Sequence, residues 1–282
     1  IVFGTHNIAE LPKFLYNAII EQEKTLEVLS IEGHIYEDVP VKRDHPKKAW
    51  VNIMYGCDEF CTYCIVPYTR GKERSRRPEA IIEEVKELVK QGYVEVTLLG
   101  QNVNAYGNDL KDINYTFADL LKDLNKIDIK RIRFTTSHPR DLDDATIDAM
   151  ALGGNIMPHL HLPVQSGNNR ILKKMNRKYT REEYLEKIKK LKEKVPGISI
   201  TTDIIVAFPG ETDEEFEDTL TLVDEVGYEG AYTFIYSPRE GTPAATYENL
   251  LTEEQKHARL NRLNERINEG FLKGRLRFEG EI

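Results

Sequence analysis

The sequence predicts an α/β protein built as an open, partial TIM-like (β/α)6 barrel, and three observations carry that expectation. From about residue 49 onward, short runs rich in Val, Ile, Thr, Tyr and Phe alternate with amphipathic helical stretches, the pattern of repeated βα units around a parallel sheet. Six strand candidates fall at 49–55, 94–100, 131–136, 158–164, 198–207 and 230–236. That is fewer than a closed eight-stranded barrel needs, so one side should stay open to a large substrate. Finally, helix starts are written into the chain. Thr180-Arg181-Glu182-Glu183, Thr212-Asp213-Glu214-Glu215 and Thr252-Glu253-Glu254-Gln255 each set a threonine three residues before an acid or amide, so that the two side chains satisfy unpaired backbone N–H groups. In the helix predicted near 78–91, Ile81, Ile82, Val85, Leu88 and Val89 recur at helical spacing behind Pro78, a first-turn proline.

Ligands of parallel β/α barrels bind where strands end and loops begin, so the six strand ends hold the candidates. The first is followed by the cysteine loop, the second by Gly100-Gln101-Asn102 and the third by Ser137-His138. Gln165-Ser166-Gly167 follows the fourth, Phe208-Pro209-Gly210-Glu211 the fifth and Ser237-Pro238 the sixth. Gly100 either eases a turn or lets a ligand approach the backbone, and the sequence leaves both open. Gln165 to Gly167 also reads as ordinary loop chemistry, and the 208–212 stretch as a turn and helix cap. Asp203 interrupts the apolar strand Ile200 to Val206, and a carboxylate facing into a barrel needs a partner.

Cys57, Cys61 and Cys64 are the only cysteines among 282 residues, arranged as CDEFCTYC. Iron–sulfur clusters are held by cysteine thiolates, and three ligands on one loop leave one iron of a cubane open to a cofactor. Zinc is the competing reading, with His45 or His138 as fourth ligand, but zinc ligands usually come as paired C-x2-C knuckles and only one is present. An odd count of three within eight positions argues against a disulfide framework.

A chain this long buries roughly 75% of its unfolded surface and needs no staples. No run of eighteen apolar residues suggests a membrane span, and with no secretory leader the expectation is a cytoplasmic protein. The net charge of −8 argues against a wholly nucleic-acid-binding surface, yet it is uneven: 170–194 hold eleven Lys or Arg against four Glu, and 195–238 hold none. The 170–194 stretch reads as a soluble outer helical face. Arg70, Lys72, Arg74, Arg76 and Arg77 form a basic run directly after the cysteines, suited to phosphate contacts or else solvated beside neighbouring acids.

The C-x3-C-x2-C spacing with Tyr63 before the last cysteine resembles the radical S-adenosylmethionine (SAM) superfamily. Taken with LLGQNVNAYG, FTTSHP, HLPVQSGNNRILKKMNR, DIIVAFPGETDEEFEDTL and FIYSPREGTPAA, the stretch MYGCDEFCTYCIVPYTRGKERSR looks like the methylthiotransferases of that superfamily. The likeness is strongest to the branch acting on N6-isopentenyladenosine beside the tRNA anticodon. A branch acting on a ribosomal protein, one acting on another tRNA adenosine modification, and a zinc-stapled RNA-binding module are the alternatives.

The resemblance implies roles. Cys57, Cys61 and Cys64 would hold a [4Fe-4S] cluster whose open iron takes SAM, with Tyr63 near the adenine. Gly100, Gln101 and Asn102 would meet the methionyl amine, Gln165 and Ser166 the ribose, and the backbones around Asp203, Phe208 and Pro238 the adenine. Asp58 stands where the family pattern has Asn, and Ala207 where it has Gly. The family cleaves SAM to a 5′-deoxyadenosyl radical that removes hydrogen from C2 of the adenine, and then inserts a methylthio group using a second cluster held by an N-terminal domain. Its implied partners are the tRNA anticodon stem-loop, an electron donor such as flavodoxin or ferredoxin, and a sulfur source the sequence does not identify. By the same resemblance, 1–21 read as the end of that N-terminal domain, 22–48 as a linker, 49–270 as the radical SAM core, and 271–282 as the start of a truncated TRAM domain. With three cysteines assigned, none remains for a second cluster, so the chain is expected to lack full activity.

Overall fold

The computed structural model describes residues 1–27, 41–276, 279 and 280. Much of the expected 22–48 linker, and residues 277, 278, 281 and 282 of the expected TRAM entry, lie outside the described residues.

Six βα units follow one another in the expected order. Strand β1 (Lys48–Asn52) leads to helix α1 (Pro78–Lys90), β2 (Glu95–Leu99) to α2 (Phe117–Leu124), and β3 (Arg131–Phe134) to α3 (Asp144–Ala151). Then β4 (His159–His161) leads to α4 (Arg181–Lys194), β5 (Ser199–Val206) to α5 (Asp213–Val226), and β6 (Gly230–Ile235) to α6 (Glu253–Leu276). The strands pair in parallel as β1-β2-β3 and β4-β5-β6. The segment entering β4 joins the two halves: Ile132 donates to the Asn155 carbonyl at 2.7 Å and accepts from the Met157 N–H at 3.0 Å. The result is one parallel arc with β1 and β6 at its edges.

Alternation along the strands decides what faces the helices and what faces the interior of the arc. On β5, Ile200, Thr202, Ile204 and Val206 are buried in the layer beneath the helices, with Phe216, Leu220 and Val223 of α5 in the same core. The intervening Ser199, Thr201, Asp203 and Ile205 are only half-buried. Register places Tyr232 beside Asp203 and Phe234 beside Ile205, on that inner face, where they remain 67% and 51% exposed. A closed barrel would fill this interior with side chains; an arc of six strands leaves it open.

All three predicted capping boxes form. Oγ1 of Thr180, Thr212 and Thr252 accepts from the N–H of Glu183, Glu215 and Gln255, and those side chains accept from the threonine N–H in return. Thr116 builds another with Asp119 ahead of α2.

Two elements differ from expectation. The 170–194 stretch is not one helix: Asn168 caps a short helix, Asn169–Lys174, and Asn176 then turns at φ +57° before α4 starts at its own cap. A left-handed residue cannot continue an α-helix, and Asn is among the few residues that tolerate the conformation. The first strand ends early, and Met54–Tyr55 pair antiparallel with Arg74–Ser75, which fastens the chain returning from the cysteine loop.

Candidate cofactor site

The cysteine loop is held at its neck. Gly56 turns at φ +76°, and a Cβ there would lie 2.0 Å from the Lys72 carbonyl oxygen, so only glycine fits. Cys57 N–H donates to the Gly71 carbonyl at 3.2 Å, and Cys64 N–H to that of Cys61 at 2.9 Å. All three thiols are free, Cys61 buried and the others half-buried. Burial pushes the Cys57 thiol up to about 12, with Glu73 adding to the rise, and burial also raises that of Cys64 although Arg239 and Arg177 pull it the other way. Bound metal reverses that balance, since ligating thiols are deprotonated by the ion they hold.

The donor set separates iron–sulfur from zinc. Sulfurs sharing one tetrahedral zinc, each at about 2.3 Å, sit roughly 3.8 Å apart. Among the described residues, the one trio whose ligand atoms lie within 4.8 Å of one another is Glu59, His138 and Asp141, not the cysteines. The three sulfurs are thus not all gathered within 4.8 Å, as ligands of one zinc would be, whereas ligands to different irons of a cubane stand further apart. Neither His45, which accepts from Lys47 and Lys48 N–H groups, nor His138, which faces Glu59, joins them.

The segment 174–178 braces the underside of this loop, which corrects the expectation that 170–194 is only an outer face. Thr62 donates its N–H to the Met175 carbonyl and its hydroxyl to that of Lys174, both at 3.0 Å. Asn176 Nδ2 donates to the carbonyls of Glu59 at 3.2 Å and Phe60 at 2.9 Å. Arg177, buried at 8% exposure, points Nη1 at Cys61 Sγ at 3.4 Å. The Glu59 carboxylate is also buried, ringed by Arg140, by Lys178 at 3.9 Å and by His138 at 3.6 Å. Burial, and then Asp141, raise the Glu59 carboxyl, while burial and Arg177 lower His138. Apart from Cys61, and His138 as a strand-end residue and candidate zinc ligand, none of these residues was singled out from the sequence. A charge between cysteines reads as solvated, and a basic run reads as surface, until the fold folds one under the other.

The remaining strand ends converge on the same mouth. Gln101 Oε1 accepts from Gly56 N–H at 2.5 Å, tying the β2 end to the neck of the cysteine loop. Asn102 is buried and donates to Asp141 at 2.6 Å. Packing alone requires glycine at Gly100: an added Cβ would come 2.5 Å from Met54 Cγ. Gly167 likewise lets its loop lie against α5, where a Cβ would meet the Asp218 carbonyl oxygen at 2.6 Å. Gln165 exchanges backbone hydrogen bonds with β5, donating to Asp203 and accepting from Ile205, while Ser166 is fully buried. Asp203 faces the interior as expected, and its partner is His161 Nε2 at 3.2 Å. Phe208 is fully buried, edge-on to Tyr63 at 6.4 Å and to Tyr236 at 5.1 Å between centroids, whereas Pro238 is exposed. Left-handed backbone recurs here in non-glycine residues: Thr136 after β3, Gln165 after β4 and Ala207 after β5. Such conformations cost about 1–3 kcal/mol each and gather at functional sites. The φ of +56° at Ala207 explains why a glycine would suit that position.

The basic run divides. Arg70 and Lys72 are exposed, and Arg77 is exposed but paired with Asp112 at 2.7 Å. Arg74 is half-buried and donates to the Arg70 carbonyl. Arg76 is buried, donating to the Asn52 carbonyl at 2.8 Å and Glu84 at 2.7 Å, so it is structural and presents no surface to a phosphate.

Comparison with known proteins agrees with this geometry. A relative named tRNA-2-methylthio-N(6)-dimethylallyladenosine synthase from Oceanobacillus iheyensis is 63% identical over 268 residues, 95% of this chain and 52% of that protein. Its namesake from Bacillus subtilis is 58% identical over the whole of this chain and 55% of its own length. The chain thus spans about half the length of these curated relatives. Among solved structures, coproporphyrinogen III oxidase of Escherichia coli superimposes with a TM-score of 0.58 at 17% identity, over 80% of this chain and 54% of that one. The methyltransferase TsrM of Kitasatospora setae does so at 0.58 and 16%, over 70% and 38%; both show a shared fold. The model of the radical SAM superfamily matches residues 51–223, from the first strand through the fifth helix, and the chain belongs to that superfamily.

Proposed function

We propose that this chain is the SAM-binding core of a tRNA methylthiotransferase acting at C2 of N6-isopentenyladenosine beside the anticodon. The observation that carries the reading is the trio of free cysteines on the loop after β1, on the same open arc as the other strand ends, in a chain about 60% identical to synthases of that name.

Cys57, Cys61 and Cys64 would hold the cluster, and the Gly100 to Asn102, Gln165-Ser166, Asp203, Phe208 and Pro238 region would cradle SAM, with Tyr63, packed edge-on to buried Phe208, offering an apolar face to an adenine. When bound, the pair supplies reductive cleavage of SAM to a radical that removes hydrogen from C2. The protein's part is to fix the loop through Gly56, Gln101 and the 174–178 brace, and to leave the inner face open to a nucleotide. Exposed Arg70 and Lys72 beside the mouth suit phosphates of an anticodon stem-loop. Flavodoxin or ferredoxin is the electron donor expected for this chemistry, in the cytoplasm; no helix among the described residues is long and apolar enough to cross a membrane.

Anaerobic reconstitution tests the reading. About four irons should bind with a broad visible charge-transfer band. Cys57→Ala, Cys61→Ala or Cys64→Ala should abolish it, and the reduced protein should cleave SAM to 5′-deoxyadenosine without forming methylthioadenosine. Stoichiometric zinc without iron would overturn it. Equal affinity for isopentenylated and unmodified anticodon stem-loops would remove the substrate assignment while leaving the cluster.

A further inference from the structure

Among the described residues, the hydrogen bonds of the buried Arg177 guanidinium reach no carboxylate. Nε donates to the Tyr179 hydroxyl at 3.0 Å, Nη2 to the Pro163 carbonyl at 2.8 Å, and Nη1 to Cys61 Sγ at 3.4 Å. Tyr179 is itself pinned, donating to the Val164 carbonyl at 2.8 Å, and its ring lies under the guanidinium at 5.2 Å. Both anchoring carbonyls belong to the segment leaving β4, so the side chain is fixed to the barrel and only its Nη1 edge addresses the loop. Burying a cation this deeply is costly unless an anion is supplied, and the one group it touches that becomes anionic on ligating metal is the Cys61 sulfur.

We propose that Arg177 is a positioning and tuning residue for the cluster, its charge-assisted hydrogen bond to the Cys61 thiolate setting the reduction potential at which the cluster accepts an electron. This rests on the reading that Cys61 is a cluster ligand. Hydrogen bonds to ligating sulfurs, and local charge, are among the levers by which proteins move cluster potentials. Adding an electron makes the cluster more negative, and a fixed cation 3.4 Å from one ligand favours that form. The neighbouring Asn176 acts differently: its side-chain amide donates to the Glu59 and Phe60 carbonyls rather than to a sulfur. Shape and potential are thereby assigned to adjacent residues of one segment.

The test compares the parent with Arg177→Gln, Arg177→Lys and Asn176→Gly, the last keeping the left-handed backbone. Each is reconstituted anaerobically and its iron content measured, and the midpoint potential is followed by electron paramagnetic resonance during a redox titration. Arg177→Gln should load iron and shift to a more negative potential, Arg177→Lys should fall between it and the parent, and Asn176→Gly should keep the parent potential while losing iron faster to a chelator. A parent potential in an iron-loaded Arg177→Gln protein would overturn the proposal. So would loss of iron from both Arg177 variants with circular dichroism unchanged, because the side chain would then retain the cluster without tuning it. A parent that binds no iron would instead remove the cluster reading itself.

Discussion

Arg259 of α6 reaches across the top of the barrel to Glu211, its Nη1 2.8 Å from the carboxylate oxygen that also accepts the Ala207 N–H at 2.8 Å. Both side chains are buried, and Arg259 Nη2 continues to Asp213 at 2.7 Å. One ion pair therefore fastens the last helix, the start of α5 and the strained β5 exit. Removing one partner of a buried pair leaves an uncompensated charge. Arg259→Ala should destabilise the fold by about 3–5 kcal/mol at pH 8, read from urea unfolding, and should lower SAM affinity as the β5 exit loosens. A loss under 1 kcal/mol would show that the pair is not holding the exit.

Burial pushes the Glu211 carboxyl up from 4.5 to about 7 despite Arg259. The folded state thus keeps its proton more tightly than the unfolded chain does. Below about pH 4.5 both states are protonated; between there and pH 7 the unfolded chain releases the proton first, so stability falls as pH rises, by at most about 3 kcal/mol from this group. In Glu211→Gln that slope should vanish. Urea midpoints of parent and variant from pH 5 to 8 check it, and parallel profiles would sink the assignment.

Gly100 lies against buried Met54, and an added methyl would come 2.5 Å from its Cγ. Overpacking of this kind costs about 1–3 kcal/mol. Gly100→Ala should lower the melting temperature and weaken cluster retention, since Met54 precedes the loop neck. Gly100→Ala with Met54→Ala should recover part of the loss; no recovery would locate the strain elsewhere.

For RNA, charge reversal at exposed Arg70 and Lys72 should weaken anticodon stem-loop binding and lower its salt slope by about two, with the melting temperature unchanged. Arg76→Glu should instead unfold the protein, because its guanidinium is buried against Asn52 and Glu84. Fluorescence anisotropy across a salt series, with thermal melts, distinguishes the two. An Arg76→Glu protein that melts like the parent would contradict the buried role.

The strands and helix starts were legible because they rest on local chemistry. Alternating β-branched runs marked β5, and Thr180, Thr212 and Thr252 cap helices through side chains only three residues away. The cysteine loop was legible for the same reason, since its three cysteines lie within eight positions. Arg76 was not, because a basic run carries no mark distinguishing the member that turns inward toward Glu84.

By itself the sequence determined the order of the six βα units, the caps and the cysteine trio, all features set by near neighbours along the chain. Only the tertiary structure decided that Gly100 answers to Met54, that Asp203 meets His161, and that Arg177, 116 residues after Cys61, aims at its sulfur. Those relationships form where separate strands end side by side, and the packing that brings them together is a property of the whole arc rather than of any segment in it.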